Sequence, residues 1–447
     1  MQGADFFASE KPYKILLKLA PPVMFAQLIQ ALYNIVDSLF VGRFSETGLT
    51  ALSIIYPVQL LMIALAVGTG VGINTVMAAQ MGAGKGADAE ETAGTGPLLA
   101  VIIWALFAAF GLFLMPAYAR MSTQSEEVIR EVIIYGRVIC IFSFGLTLES
   151  VCTKVLQANG DMKTPMIAQI VGALVNIALD PIFIFGMFGL PQMGILGAAI
   201  ATVIGQAAAA CLVARRGYRR MPPVSSCLRH IKRIYRLGIP NILMQSAYTF
   251  YILGLNLILA GFSDQAVTAL GLYYKWQTFF FIPLGSMQTC IVPVISYNYA
   301  AGKIRRCQET LKAAILFGWA LMAVGTLCFD TIPGPMLRVF TKDELVVSIG
   351  SYGFRFIGSS FIPMVTSLIF PVFFQAVGKS LRSSALTVLR TVVLFVPLGY
   401  IFAKFGLERF WLTFPVTETV TSLVGLKFYR SFLKQEQVSG RPMEIDR

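Results

Sequence analysis

The stretch that decides the fold is LAPPVMFAQLIQALYNIVDSLFVGRF at residues 19–44, because it returns as LGIPNILMQSAYTFYILGLNLILAGF at residues 237–262. Setting each residue beside the one 218 positions later aligns the chain with itself without a gap from residue 19 to residue 85. The same spacing pairs QANG (157–160) with QAVG (375–378). The identical pairs include Pro22/Pro240, Gln27/Gln245, Tyr33/Tyr251, Tyr56/Tyr274 and Gln59/Gln277. We infer that the chain is an internal duplication.

The duplicated unit has the composition of a membrane protein. Over 447 residues, 56% are hydrophobic, 13% are charged and the mean hydropathy is +0.71. This is too little charge to cover a soluble protein of this size. A bilayer core requires about 20 apolar residues per helix. The sequence contains such stretches at approximately 15–42, 50–79, 94–116, 132–156, 165–189, 194–214, 237–262, 268–298, 311–333, 349–376, 383–404 and 409–430.

These stretches predict an all-α polytopic membrane protein with twelve transmembrane helices in two six-helix bundles. Because six is even, both copies have the same orientation and are related by an axis along the membrane normal. A cleft between the bundles is expected. The predicted boundary lies near residue 225, between an N-terminal lobe (1–225) that ends in a basic linker and a C-terminal lobe (226–447).

The distribution of basic residues predicts the topology, because short loops rich in Lys and Arg stay in the cytoplasm. The richest connection joins the two halves, and Arg390 is assigned to another connection on the same side. The joining segment carries Arg215, Arg216, Arg219, Arg220, Arg229, Lys232, Arg233 and Arg236. Both termini are therefore predicted to be cytoplasmic. The net charge of +13 indicates this topology first and contact with anionic lipid head groups second. No nucleic-acid partner is expected, because no soluble binding module surrounds the basic linker.

The sequence gives no support for an enzyme. Its only histidine, His230, lies in the basic linker, where a solvated or head-group-facing position is expected. No CxxC, HExxH, GxxxxGK[ST] or GxSxG motif is present. We therefore predict no catalytic residues and no cofactor.

A small set of polar residues lies inside predicted spans. Asp37 lies in the first span, Asn176 and Asp180 lie four residues apart in the fifth, and Thr202 lies in the sixth. Glu149 is a further acid, in the fourth span. A carboxylate at bilayer depth is costly, and such groups usually mark ion or proton pathways. These residues are candidates for a site that binds a small cation.

Each of these residues also has a purely structural interpretation. Asp37 can fix helix packing through a hydrogen bond, Asp180 can mark a helix end before Pro181, and Thr202 can serve close packing. The repeat favours function, because the cluster has no counterpart in the second half. Asp37, Asn176 and Asp180 correspond to Leu255, Leu394 and Leu398.

The sequence resembles the multidrug and toxic compound extrusion (MATE) transporters, most closely the bacterial branch typified by MepA and DinF. The resemblance covers nearly the whole chain. It rests on the run Pro22–Gln27, NIVDSLFVGR (34–43), the GAGK that ends the second span, QANGDMKTPM after the fourth, NIALDPIFIFG in the fifth and GAAIAT in the sixth.

The resemblance implies two six-helix lobes that open as a V in the bacterial inner membrane. It also implies export of amphipathic, often cationic compounds against an inward flow of Na+ or H+. Because both lobes lie in one chain, a monomer is expected to be sufficient and no obligate protein partner is expected. The family's N-lobe cation site maps onto Asp37, Asn176, Asp180 and Thr202, and its helix-one bend maps onto Pro22. The branch that couples through the C-lobe has acids in helices seven, eight and ten. Here those helices offer Lys275 and no mid-span carboxylate.

A mechanism also follows from electrostatics. Two carboxylates away from bulk water favour capture of a proton or a metal cation, and prolines such as Pro22 provide places where a span can bend. If the captured ion and the exported compound prefer different conformations, the result is antiport. The substrate cavity is expected to involve polar or aromatic side chains near the face between the lobes. The candidates are Tyr33, Asn34, Gln59, Glu149, Lys275 and Gln277.

Two other transporter classes remain as alternatives. A flippase of lipid-linked oligosaccharides or polar lipids would need several cationic side chains in the cavity, and only Lys275, Arg137 and Arg355 are available. A major-facilitator transporter would carry a basic, Asp-containing loop after the second span. GAGKGADAEE at residues 82–91 does not match that loop.

Overall fold

A computed structural model describes residues 2–439, which are helical almost throughout and contain no strand. The predicted fold class is therefore confirmed. Within this range, length and composition identify eight helices able to cross a membrane, or eleven if each of three bent helix pairs counts as one span. The twelfth predicted stretch lies mainly in Thr413–Ser439, which has 27 residues and is long enough to span. Its threonines and Glu418 lower its hydropathy.

The helices follow one another in chain order with short connections. The N-terminal half contains α1 (Gln2–Ser9), α2 (Pro12–Phe44), α3 (Glu46–Gly82), α4 (Gly86–Ala109), α5 (Met115–Ser122), α6 (Glu126–Ile141), α7 (Phe144–Ala158), α8 (Lys163–Phe185) and α9 (Ile195–Gly217). The C-terminal half contains α10 (Val224–Ala260), α11 (Asp264–Phe280), α12 (Ile282–Ala300), α13 (Ile304–Thr331), α14 (Pro333–Arg338), α15 (Glu344–Ser359), α16 (Phe361–Ala376), α17 (Ser380–Val388), α18 (Val396–Ala403), α19 (Leu407–Phe410) and α20 (Thr413–Ser439). Two π-helical segments, Phe110–Leu114 and Leu389–Phe395, continue α4 and α17.

The chain folds as two compact units, and the first helical segment of each half belongs to the unit built mainly by the other half. Pro21–Gly238 forms most of the N-terminal unit, and Phe6–Ala20 joins the chain from Ile239 onward in the C-terminal unit. Both divisions fall inside helices, α2 and α10, at positions 218 residues apart. Each half therefore begins with an entry segment, residues 6–20 or 224–238, that belongs to the unit built mainly by the other half. The sequence-based boundary near residue 225 stays a prediction.

Left-handed glycines occupy equivalent turns in the two units. Gly84 and Gly302 have φ values of 76° and 73°, and Gly160 and Gly378 have φ values of 81° and 77°. After the first pair of glycines, the Lys85 amide donates to the Gln80 carbonyl, and the Lys303 amide donates to the Asn298 carbonyl. Both distances are 2.8 Å. Each bond caps the preceding helix in a conformation that suits glycine. The turns reproduce the 218-residue spacing of the sequence repeat.

Two of the three bent spans have a buried serine at the bend. The Ser143 hydroxyl donates to the Cys140 carbonyl at 2.9 Å, between α6 and α7, which meet at 43°. The Ser360 hydroxyl likewise donates to the Ile357 carbonyl at 2.5 Å, between α15 and α16, which meet at 54°. A hydroxyl that binds a nearby carbonyl competes with the helical ladder and bends the helix. The bends therefore recur at similar places in both units.

His230 is buried, so the expectation of a solvated histidine in the basic linker is wrong. Its side chain is 2% exposed, with Nδ1 3.0 Å from the Thr92 hydroxyl and Nε2 3.3 Å from a Glu91 carboxylate oxygen. The physical reason is that Ile234 and Leu237, on the same entry segment, pack into the apolar core of the N-terminal unit. They carry the histidine inward with them.

Replacing His230 with alanine is expected to destabilise the purified protein by about 1–3 kcal/mol, because Thr92 and Glu91 lose a buried partner. The measurement is the thermal unfolding of the full chain in detergent. Arg229→Ala, an exposed change on the same segment, is the control and should stay within about 0.5 kcal/mol of the unsubstituted protein. Equal stabilities of the two variants would contradict this assignment.

Candidate cation site

Three helices of the N-terminal unit bring the four predicted cation-site residues together. Asp37 lies on α2, Asn176 and Asp180 lie on α8, and Thr202 lies on α9. The Asn176 amide nitrogen donates to Asp180 Oδ1 at 3.3 Å and to Thr202 Oγ1 at 3.4 Å. Asp180 is 0% exposed, Asn176 2% and Thr202 8%, while Asp37 is half-buried. The side chains of Asp37 and Asp180 lie within hydrogen-bonding reach of each other.

Asp180 does not mark the end of a helix. Helix α8 continues through Pro181 to Phe185. The interpretation of Asp180 as a helix end before proline is therefore wrong. Both Asn176 and Asp180 remain on one helix, separated by four residues and therefore on the same face.

Two glycines create the close approach of α8 and α9 on which the site depends. A Cβ atom at Gly205 would lie 2.7 Å from the Gly172 carbonyl oxygen, and one at Gly172 would lie 2.8 Å from the Gly205 carbonyl oxygen. Real Cβ atoms do not come so close to a backbone oxygen, so any side chain here would push the helices apart. The glycines therefore allow the Asn176 amide to reach Thr202.

The site contains more hydrogen-bond acceptors than donors. Three of its buried oxygens, Asp37 Oδ1, Asn176 Oδ1 and Asp180 Oδ2, have no hydrogen-bond partner. An ionised carboxylate is an acceptor only, so two neighbouring carboxylates can share a contact only through a proton or a cation. Unpaired buried acceptors are costly. The arrangement is therefore suited to a small positive ion.

The oxygen ligands of the site suit an alkali cation or a proton better than a transition metal. They consist of two carboxylates, an amide and a hydroxyl, which are hard oxygen ligands. Within residues 2–439, no group of three or more His, Cys, Asp or Glu side chains could hold a metal ion.

Tyr135 is a member of this site that sequence reasoning missed. It lies on α6, is 1% exposed and accepts a hydrogen bond from the Gln59 amide at 3.3 Å. Its hydroxyl also interacts with Thr202 and lies within electrostatic range of Asp37. It is the one tyrosine in the fourth predicted span, and its repeat partner is Gly353. This departure from the repeat is the signal that would have found it.

The N-terminal cavity candidates differ in their exposure and in their contacts. Tyr33 is half-buried and lies within electrostatic range of Asp37, Glu149 and Asp180. The Glu149 carboxylate is half-buried and accepts from the Thr153 hydroxyl at 2.8 Å. Asn34 is exposed. Tyr33 therefore belongs to the surroundings of the cation site, and Glu149 lies within electrostatic range of Tyr33.

The C-terminal cavity candidates, Lys275 and Gln277, do not share one environment. Lys275 is exposed, and its ammonium nitrogen lies 5.1 Å from the centre of the Phe340 ring. Gln277 is buried, and its side-chain oxygen accepts from the Tyr248 hydroxyl at 3.2 Å. Their role in a substrate cavity stays a prediction.

The predicted helix-one hinge at Pro22 lies within a continuous helix. Pro21 and Pro22 are both inside α2, which runs from Pro12 to Phe44. A proline at such a position removes one backbone hydrogen bond and weakens the helix locally. The division between the two units also falls here, between Ala20 and Pro21. The hinge itself stays a prediction.

The C-terminal unit contains a buried ion pair that the sequence assignment misplaced. Arg390 was expected in a cytoplasmic connection, but it is 7% exposed and pairs with Glu418, which is 0% exposed. The misplacement arose because an arginine at a helix end and one inside a bundle have the same sequence pattern. Only the contact with Glu418 on α20 shows that Arg390 lies inside the bundle.

Substituting Gly205 with alanine is expected to lower the stability of the protein by about 1–3 kcal/mol, because the new methyl group would overlap the Gly172 carbonyl. Thermal unfolding of the detergent-purified chain measures this. Gly271→Ala, at a helical glycine with no atom within 4 Å of the new Cβ, is the matched control. It should be neutral or slightly stabilising. A Gly205→Ala variant as stable as its control would refute the close approach.

Comparison with known proteins identifies the family. The MatE family profile matches the chain twice, over residues 22–182 and 240–401. The chain therefore belongs to the MatE family, the MATE transporters. Each match covers one copy of the repeat, so both the internal duplication and the sequence resemblance are confirmed.

The chain is similar over almost its full length to transporters with different names. It is 23% identical to a protein named FAD transporter from Shewanella oneidensis, with 93% of each chain covered. It is also 23% identical to the multidrug export protein MepA from Staphylococcus aureus, with 94% of each chain covered. Among solved structures, a MOP superfamily transporter from Pyrococcus furiosus superposes with a TM-score of 0.89 at 23% identity, covering 97% of this chain and 98% of the other.

Proposed function

We propose that this protein is a secondary antiporter that exports amphipathic, cationic organic compounds in exchange for Na+ or H+ by alternating access. The observation that carries the proposal is the set of three buried, unpartnered oxygens at Asp37, Asn176 and Asp180. In this proposal a single chain is sufficient, lies in the bacterial inner membrane and has both termini in the cytoplasm.

The coupling step follows from the charge of the site. Asp37 and Asp180 are neighbouring acids, and neither forms an ion pair with a basic side chain within the described part of the chain. Low dielectric strengthens their mutual repulsion, so capture of one proton or Na+ stabilises the conformation that holds both carboxyl groups together. Release of the ion favours a conformation in which they separate.

Exchange requires that the ion and the exported compound prefer different conformations. Tyr33 lies within electrostatic range of Asp37, Asp180 and Glu149, so an organic cation bound beside Tyr33 would meet the same negative field as the coupling ion. Two cations that compete for one field cannot both gain its full stabilisation. This competition supports antiport over co-transport.

The experiment is transport by the purified chain in reconstituted vesicles. A fluorescent organic cation is followed under an imposed Na+ gradient and, separately, under a pH gradient. We expect one gradient to drive the cation against its own concentration, which also identifies the coupling ion. Failure of both gradients would contradict the proposal.

Two further cargoes separate the alternatives. FAD, an anion, tests the activity named in one relative, and a lipid-linked oligosaccharide tests the flippase alternative. Movement of either cargo without movement of organic cations would replace the proposed substrate class. The acidic character of the N-terminal site favours the cation.

A further inference from the structure

The buried ion pair of the C-terminal unit has no role in the coupling scheme above. Arg390 Nε lies 3.0 Å from both carboxylate oxygens of Glu418, and Arg390 Nη2 lies 2.6 Å from Oε1. The Ser367 hydroxyl on α16 donates to Oε2 of the same carboxylate. The carboxylate is thus held by a forked guanidinium and a hydroxyl. In contrast to the cation site, its two oxygens are fully partnered.

The pair lies on the elements of its unit that correspond to two helices of the cation site, α8 and α9, although the positions of Asp37, Asn176 and Asp180 themselves are taken by Leu255, Leu394 and Leu398. In the repeat, α10, α16 and α20 correspond to α2, α7 and α9, and the π segment Leu389–Phe395 corresponds to part of α8. Tyr251 is the repeat partner of Tyr33, and its ring centre lies 5.8 Å from the Arg390 guanidinium carbon. Tyr33 lies within electrostatic range of the N-terminal acids. An equivalent tyrosine therefore lies near each of the two clusters.

The equivalent residues differ in charge and in size: the C-terminal unit has an arginine where the N-terminal unit has a glycine. At the 218-residue spacing, Arg390 corresponds to Gly172 and Ser367 corresponds to Glu149. Gly172 permits the close approach of α8 and α9 and supplies no charge. Arg390 lies in a π segment, and such segments often reposition side chains at functional sites. The N-terminal site is left with excess negative charge, whereas the C-terminal site is neutral.

We propose that Arg390 is a tethered cation: its guanidinium permanently neutralises Glu418 between the C-terminal counterparts of α8 and α9, as a mobile ion neutralises Asp37 and Asp180 in the N-terminal unit. The inference rests on the proposed function, because it assigns ion coupling to the N-terminal unit alone. The site created by removing the arginine side chain would accept a guanidinium ion.

The first test uses purified full-length protein and guanidinium as the probe. Arg390→Gly restores the residue found in the other repeat and leaves Glu418 without its cation. We expect a lower melting temperature than that of the unsubstituted protein, and a rise that saturates with millimolar guanidinium but not with tetramethylammonium. Arg390→Gly/Glu418→Gln is the control and should lose this rise. No guanidinium-dependent rise in Arg390→Gly would overturn the proposal.

The second test uses the neutral pair Arg390→Gln/Glu418→Gln, which removes both charges and retains hydrogen-bonding groups. We expect it to fold and to transport within about twofold of the unsubstituted rate, with the same ratio of ions to exported compound. A folded variant without coupled transport would mean that the pair takes part in coupling. Failure of this variant to fold would mean that the two charges do more than neutralise each other. Either result overturns the proposal.

The two proposals fail in different experiments. If Asp37→Asn retains coupled transport, the assignment of the N-terminal site is wrong, whatever the guanidinium result. If Asp37→Asn loses coupled transport and the neutral pair loses it too, only the tethered cation is wrong. Should Arg390→Gly prove too unstable to purify, the neutral pair decides alone.

Discussion

Ion-coupled efflux is expected to fall by about 100-fold or more in Asp37→Asn, to the level of vesicles without protein. Asparagine has nearly the volume of aspartate but lacks the negative charge that attracts the coupling ion. Asp180 would keep its hydrogen bond from Asn176, so the fold should persist. A loss of roughly 3 kcal/mol of cation binding corresponds to a factor of about 100. The measurement is gradient-driven movement of a fluorescent organic cation in reconstituted vesicles.

The control for this variant is Asp330→Asn, because Asp330 is an exposed aspartate near the end of α13. It undergoes the same chemical change outside the cation site and should transport at the unsubstituted rate. Thermal unfolding of both variants shows whether the fold is retained. A folded Asp37→Asn protein with unchanged coupled efflux would reject the cation site.

Glu418→Gln is expected to cause a large loss of stability. It leaves the Arg390 guanidinium buried beside a neutral amide, and breaking a buried ion pair from one side costs about 3–5 kcal/mol. The corresponding fall in melting temperature is about 3–5 °C for a chain of this length. The measurement is thermal unfolding of the detergent-purified chain.

Glu408→Gln provides the matched comparison, because Glu408 is exposed on α19. Surface changes of this kind usually alter stability by no more than about 0.5 kcal/mol. If the two variants melt at the same temperature, the ion pair between Arg390 and Glu418 does not exist in the folded protein.

The fold class could be predicted because the two signals behind it are strong. Apolar stretches of membrane length define helices, and the exact spacing of the repeat defines two equivalent sets of them. The bends could not be predicted, because Ser143 and Ser360 resemble many other serines in the sequence. Their effect depends on a hydroxyl that turns toward a carbonyl instead of toward a neighbouring helix. The exchange of entry segments also lacked any signal, since periodicity does not state which unit a helix joins.

The candidate site was predictable where polar residues stand out against an apolar background. Asp37, Asn176, Asp180 and Thr202 were selected on this basis, and the structure brings them together. Tyr135 was missed because tyrosine is common in membrane helices and gains meaning only through Gln59 and Thr202. The pairing of Arg390 could not be predicted, because its partner Glu418 lies on a separate helix, α20, 28 residues further along the chain. A difference between equivalent positions of the two repeats was more informative than residue type, as Gly172 and its equivalent Arg390 illustrate.

The entry segments 6–20 and 224–238 have a consequence for biosynthesis. A ribosome that has released only the first half has made a unit that still lacks residues 224–238 and a segment, residues 6–20, whose own unit does not yet exist. His230 and Ile234 complete the first unit only after the basic linker has been translated. Domains usually fold in order during synthesis, but here neither unit can be finished independently. The gene therefore encodes two halves that mature as a single product.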